Sequence, residues 1–249
     1  MIHYHGGPIT PDTCAIKAWK GRHAFISFAR PDQLGLATEI CQSFGLDNGA
    51  FTFWKTGEPI DWSGYYEFVD RWKNHPRFDF AIIPDVIDGG CQANDELLAA
   101  WPHGSHVGVP VWHMNEPEDR FIRLCKTYPR VAIGSCGEYD VRNPGKCVSR
   151  MKDVIRHVTD KYGQPIAKLH GLRMLNKAVF KHLPLSSADS TNIARNIGID
   201  SKWSGAYSPK SKETRASIIA ERIESTNSAS ALHWDEANDK VDIQLSFNI

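Results

Sequence analysis

Asp47-Asn48-Gly49-Ala50-Phe51 places a carboxylate, two small residues and an aromatic ring within five positions. The motif follows an apolar stretch, residues 40–46, and precedes the aromatic pair Phe53 and Trp54. At the C-terminal end of a strand such a set forms a flat slot. The acid receives N–H groups of a planar ligand and the ring stacks on its face. The same residues also make an ordinary turn, since Asn-Gly is a strong turn dipeptide and Asp commonly precedes it. Further polar groups close other apolar runs. Asp85 follows residues 78–84, where a carboxylate is costly unless paired or solvated; a helix N-cap explains it as well. His113 reads as a ligand contact or as a satisfied strand-end histidine. Gly134-Ser135-Cys136-Gly137-Glu138 is either a plain turn or a nest whose backbone N–H groups approach a ligand carbonyl. His170-Gly171 ends another apolar run, and Asp189 either caps the segment after it or carries chemistry.

The elements that must position these groups alternate. Strand patterns run over residues 23–29, 78–84, 107–114, 130–135 and 166–169, and 50–54 reads as continuing a second strand region. Helical spacing of apolar residues appears over 34–44, 62–73, 93–100, 116–127 and 145–162. Strand–helix alternation with this many repeats predicts an α/β fold, a (β/α)8 TIM-type barrel, in one domain spanning residues 1–249. No GxGxxG or Walker loop is present to favour a nucleotide-binding open sheet. The eighth unit is not visible, so irregular closure at the C-terminal end by residues 200–249 is expected. Residues 186–212, rich in Ser, Asn, Gly and Lys, read as a long exposed segment, and 241–247 as an edge strand. His5-Gly6-Gly7-Pro8 reads as turn structure.

Composition sets outer limits. The chain has 249 residues, 41% hydrophobic, which suits a globular domain with a sizeable core. No window approaches a membrane span and the first residues lack an apolar signal region, so a cytoplasmic protein with no membrane partner is expected. The six cysteines form no CxxC pair, which argues for reduced thiols and against a structural zinc site. Net charge is zero but uneven. Residues 142–181 hold ten Lys or Arg against Asp153 and Asp160, and residues 201–222 add five more cations, whereas 46–119 is acidic on balance. A basic half beside an acidic pocket suits a polyanion whose reacting part is neutral or cationic; solvated helix faces give the same pattern.

Asp47-Asn48-Gly49-Ala50-Phe51, Pro84-Asp85, Ile133-Gly134-Ser135-Cys136-Gly137-Glu138, Lys168-Leu169-His170-Gly171 and Ser187-Ala188-Asp189-Ser190 stand in the order of motifs in tRNA-guanine transglycosylases. Over roughly residues 20 to 200 the chain most resembles the short phage-type branch, the DNA 7-deazaguanine transglycosylases. The resemblance implies that Asp189 is the nucleophile, attacking C1′ of a guanosine to leave a glycosyl ester. Asp47 and Asp85 would hold the base edge, with Asp47 also moving a proton. Phe51 would stack on the base, His113 would stand where the family usually has a glutamine, and the Gly134–Cys136 backbone would meet the base carbonyl, supported by Glu138. His170 and Gly171 would line the same pocket. The partners implied are DNA and a 7-deazaguanine base of preQ0 or preQ1 type, in the host cytoplasm if phage-encoded. No cofactor or metal is implied. Arg142, Lys146, Arg173, Lys177, Lys181, Arg195, Lys202, Lys210 and Lys212 are the candidates for phosphate contact.

The chain departs from the tRNA enzymes. Their zinc site uses clustered cysteines near the C-terminus, and here no cysteine follows Cys147. The Gly134–Glu138 turn is shorter than the family's glycine-rich version. Base exchange in tRNA without the zinc site, a non-catalytic nucleic-acid-binding barrel and a glycoside hydrolase with paired strand-end acids are the competing readings.

Overall fold

The structure is a computed structural model that describes residues 1–203 and 209–233, with the side chains of Ser201 and Lys202 outside the described set. All its strands run parallel. They are β1 (Ile2–Gly6), β2 (His23–Ser27), β3 (Ser43–Asp47), β4 (Phe78–Ile82), β5 (Gly108–Val109), β6 (Val111–His113), β7 (Arg130–Gly134), β8 (Lys168–Leu172) and β9 (Ser187–Ser190). Their order is β5-β4-β3-β2-β1-β9-β8-β7-β6. The two ends of that order are joined through Pro110 alone. Ile83 N–H reaches Val109 O at 2.9 Å on one side, and Ala132 N–H reaches Pro110 O at 2.8 Å on the other. Proline has no N–H to give the ladder, so one strand position is split into two short pieces. The result is an eight-position barrel with helices outside it, as the alternation predicts.

The first unit escapes the sequence reading. β1 includes His5 and Gly6, read as turn structure, α1 (Asp12–Trp19) follows where no element was expected, and β1 pairs with β9 to close the barrel. Residues 50–54 are not a strand. They begin α3 (Ala50–Thr56), because Gly49 takes φ +80° and the Asn48 side chain accepts Ala50 N–H at 2.9 Å. A Cβ at position 49 would also lie 3.0 Å from Ala29 N, so only glycine fits. The helix predicted over 34–44 stops at Ile40 (α2, Leu34–Ile40), and Phe44 belongs to β3. The remaining helices follow the periodicity: α4 (Trp62–Trp72), α5 (Gly90–Ala99), α6 (Glu118–Thr127) and α7 (Pro144–Ile155). The described residues of 186–212, namely 186–203 and 209–212, do not form a long exposed segment. They hold the buried strand β9, a short helix α9 (Asn192–Asn196) and the buried Trp203, ahead of α10 (Lys212–Glu224). A four-residue helix α8 (Lys177–Phe180) lies between β8 and β9. The edge strand predicted at 241–247 lies outside the described residues.

Two cores result. One lies between sheet and helices and includes Trp19, Phe44, Tyr65, Trp112 and Phe121. The other fills the barrel with Tyr4, Phe25, Phe80, Ile82, Val109, Val111 and Ala132. Strand register explains the second, since Gly6 faces Phe25, Phe25 faces Gly45, and Ala132 faces His170. Large rings sit against small residues, so the interior interdigitates without a channel. At its base Arg130 pairs with Asp79 at 3.1 Å and lies 4.5 Å over the Phe80 ring, while the Tyr4 hydroxyl donates to Asp79.

Gly45 is where this packing is tightest. A Cβ there would stand 2.9 Å from the Phe25 ring and 3.3 Å from Phe80, whereas one at Gly35 in α2 would meet nothing within 4 Å. Gly45→Val is expected to lower unfolding free energy by about 1–3 kcal/mol through overpacking, and Gly35→Ala to raise it by up to about 1 kcal/mol. Urea unfolding midpoints of the two variants check this.

Candidate active site

Polar residues gather where the strands end. In the register that places Phe25 and Gly45 inside, Ser27 faces Asp47 one layer higher, and His113 faces Gly134. On the far side Asp189 ends the inward row of β9, directly above Ser187. Asp85 follows β4 by way of Pro84. The mouth therefore holds three carboxylates contributed by β3, β4 and β9.

Each is compensated differently. Asp85 is buried, and its oxygens are taken by Asn48 Nδ2 at 2.6 Å and His113 Nε2 at 3.0 Å. His113 stands between two acids, with Glu116 3.8 Å from its other nitrogen. Burial alone would lower its pKa, but the bonds and charges of Asp85 and Glu116 outweigh that and push it up to about 9. His113 is therefore an imidazolium at neutral pH, donating to Asp85. Glu116 is fixed in turn by Arg120 at 2.8 Å, His113 N–H at 2.9 Å and Asn94 at 3.1 Å, and its pKa is held below the usual range. A cavity of about 230 Å³ beside this group is lined by Asp88, Asn94, His113, Asn115 and Glu116, among others.

Asp189 accepts Arg173 N–H at 2.8 Å on Oδ1, and the same oxygen lies 3.5 Å from His170 Nε2. His170 does not reach the mouth surface. It is fully buried beneath Asp189, ringed by Phe80, Phe25 and Tyr4 at centroid distances of 5.0, 5.4 and 5.9 Å, with Nδ1 on Ser187 Oγ at 2.8 Å.

Asp47 meets its burial by holding a proton more readily. Removal from water raises its pKa to about 6; the Ser27 hydroxyl and Arg173 pull it down, while Asp189 and Asp85 push it further up. It also accepts Gly49 N–H at 3.2 Å within the turn. A carboxyl with that value holds or releases a proton near neutral pH, as general acid–base chemistry requires. Phe51 is the second residue of α3, and the Arg173 guanidinium covers its ring at 3.4 Å from the centroid. Trp54 lies 5.5 Å from Phe51 and bonds Asp88 at 2.5 Å, tying α3 to the loop after β4.

The other residues named from the sequence are dispersed. Gly134 belongs to the mouth, since a Cβ there would stand 2.9 Å from His113. Ser135 and Cys136 are half-buried beside it; Cys136 donates to Asn115 at 3.0 Å, and burial raises its thiol pKa. Glu138 is exposed and paired with Lys146 at 2.9 Å. Gly171 faces the helices, against Met174 and Leu185. Arg142 is engaged by Asp140 at 2.8 Å. Lys177 bonds Ser225 at the far end of α10, on the side where His3 meets Thr226. Lys181, Arg195, Lys210 and Lys212 are exposed, the last at the start of α10, and the side chain of Lys202 lies outside the described residues. The sequence reading missed Asn48 as the fixer of Asp85, and the Glu116–Arg120 pair. The i,i+4 spacing of that pair and its position three residues after His113 were the available signals.

The six cysteines are unpaired. Among the described residues no group of three His, Cys, Asp or Glu is placed to hold a metal ion, and no helix is long and apolar enough to cross a membrane.

Strands and helices define a TIM barrel, a fold whose enzymes carry their chemistry at the C-terminal face, where the polar residues gather here. A mutant tryptophan synthase α-subunit from the hyperthermophile Pyrococcus furiosus is similar at 12% identity, with a TM-score of 0.51 over 90% of this chain and 95% of that one. At that identity the likeness is one of fold, and an enzyme subunit shares it. No family model and no curated protein matches the chain.

Two pH dependences follow. Because Asp47 is raised from 3.8 to about 6, its contribution to stability is complete below 3.8 and lost as pH rises through 6. Asp47→Asn should thus stabilise the fold by about 1–2 kcal/mol at pH 8, after allowance for its partial exposure, and by little at pH 4. His113 is raised from 6.5 to about 9, so its contribution is complete below 6.5 and lost as pH rises through 9. Wild type should weaken between pH 7 and 10 more steeply than His113→Gln. Denaturant titrations across pH measure both.

Proposed function

We propose that this barrel exchanges guanine in DNA for a 7-deazaguanine base through a covalent aspartyl–glycosyl intermediate. The observation that carries the reading is the convergence of Asp47, Asp85 and Asp189 at the ends of three strands, with Arg173 linking Asp47 and Asp189 to the Phe51 ring. In this reading Asp189 attacks C1′, the bond from C1′ to the guanine nitrogen breaks, and the electron pair leaves with the base. Asp47 supplies the proton that the leaving nitrogen takes. The incoming base returns a proton to Asp47 from its ring N–H, and that nitrogen attacks C1′ as the ester to Asp189 breaks. Protons balance over the cycle, and two displacements retain configuration at C1′. Asp85, fixed by Asn48 and His113, offers acceptor capacity to the donor edge of the base.

His113 acts through Asp85, holding its carboxylate in one orientation. His170 stands beneath Asp189, its Nε2 3.5 Å from Oδ1. The Phe51 face suits a planar heterocycle. The target nucleotide must leave its stack to reach the mouth, at a cost of a few kcal/mol. Lys210 and Lys212 at the start of α10, and Arg195 on α9, are exposed cations available to the strand.

Purified protein incubated with guanine-containing DNA or with tRNA, each with excess 7-cyano-7-deazaguanine, then digested to nucleosides and analysed by mass spectrometry, tests the reading. A deazaguanine deoxynucleoside from wild type, and a loss of at least about a thousandfold in Asp189→Asn, is the expected outcome. Product in tRNA alone would transfer the activity to RNA. Product retained by Asp189→Asn would remove this aspartate as nucleophile.

A further inference from the structure

In this conformation the slot above the three carboxylates is already filled. Arg173 follows β8, which stands across the barrel from β3 in the strand order. Its side chain spans the mouth and lays the guanidinium on Phe51, 3.4 Å from the ring centroid. Its backbone is held at φ +59°, the one described non-glycine residue in that region, and its N–H is anchored on Asp189 at 2.8 Å. A left-handed conformation at a residue with a Cβ persists only where the surroundings impose it, and such sites cluster at ligand clamps and switches. The charged groups around the guanidinium are Asp47, Asp189 and Asp140, which attract it, and Arg195, which repels it. Despite these contacts the residue remains open to solvent.

A guanidinium is planar and delocalised, carries in-plane N–H donors and stacks on aromatic faces. The amino-amide edge of guanine has the same planar donor character, and Asp47, assigned above to the base, is among the acids that attract Arg173. We propose that Arg173 is an internal stand-in for the base. It occupies the stacking place on Phe51 in the free protein, and the phosphates of a bound strand draw it aside to open the slot. The inference rests on the base-exchange reading for the identity of what replaces the guanidinium. Phosphate is the natural competitor, because arginine pairs with it in a bidentate, charge-assisted manner stronger than ring stacking at an exposed site. With Cα pinned through Asp189, only the side chain has to swing. The slot then admits a base when a strand is present and stays shut to free bases otherwise.

Calorimetric titration of 7-deazaguanine into wild type and Arg173→Ala, with and without a single-stranded oligonucleotide lacking guanine, separates the cases. Without the oligonucleotide, Arg173→Ala is expected to bind the base about tenfold more tightly than wild type. Adding the oligonucleotide should close that gap by strengthening wild type alone. Equal affinities without oligonucleotide, or weaker binding by Arg173→Ala, would overturn the proposal. A second readout is independent of the base. The Arg173 side-chain Nε–H resonance in wild type should be shifted by the Phe51 ring current, lose that shift in Phe51→Leu, and lose it in wild type when oligonucleotide is added. A shift that survives the oligonucleotide overturns release by phosphate. Base bound equally by both proteins overturns the stand-in and leaves base exchange standing, whereas no base bound by either protein, even with release by the oligonucleotide, overturns both.

Discussion

Three carboxylates brought to one end of a barrel are the constraint on which the rest of the site depends. Like charges in a poorly solvated mouth raise one another's cost, and each needs a partner or a proton. The chain meets this in three ways. Asp85 is locked between an amide and an imidazolium, and the imidazolium is itself stabilised by Glu116, with Arg120 behind it. Asp189 receives a backbone N–H from a residue in a left-handed conformation. Asp47 accepts Gly49 N–H at 3.2 Å, and removal from water raises its affinity for a proton. One acid is thereby fixed on both oxygens, one is anchored by a backbone N–H and one can carry a proton. That separation of roles comes from environment alone, since the three side chains are chemically identical.

The layer beneath sets where these groups can stand. Tyr4, Phe25, Phe80 and the buried His170 fill the barrel under the mouth, and Gly45 and Ala132 leave room for the rings. Had the middle layer been loose, His170 could not rest 3.5 Å below Asp189 with its other nitrogen held by Ser187. Below them the Asp79–Arg130 pair closes the barrel base with charge satisfied inside the sheet. Asp47 and Asp189 are therefore carried on strands, and Asp85, three residues past β4, is pinned by Asn48 and His113, which suits groups that must keep a fixed geometry.

Much of this was legible in the sequence, for physical reasons that differ by residue. Fully buried parallel strands such as residues 78–84 and 130–135 read as apolar runs, and amphipathic helices such as α4 and α6 read by their period. Polar residues closing those runs, Asp47, Asp85, His113 and Asp189, were found because a polar group at the end of an apolar strand stands out. β1 was hidden because its inward and outward rows both carry polar or aromatic residues, in His3-Tyr4-His5. Residues 50–54 misled because aromatic residues favour strands, whereas the Asn48 cap and the left-handed Gly49 decide for helix. β9 was hidden by serines that turn out to be buried or half-buried and bonded, Ser187 to His170 and Ser186 to Leu169 O. Partnerships such as Asn48 with Asp85 and Arg173 with Phe51 join residues far apart in sequence, and no local pattern announces them.

The central claim is that Asp189 forms a bond to the sugar. Incubating the protein with a guanine-containing oligonucleotide in the absence of any incoming base, quenching in denaturant and measuring intact mass tests it most directly. The account predicts a species with the mass of protein plus oligonucleotide less one guanine, mapped by proteolysis to Asp189 and absent from Asp189→Asn. An adduct mapped to Asp47 or Asp85, or turnover with no adduct under conditions that trap a glycosyl ester, would contradict it.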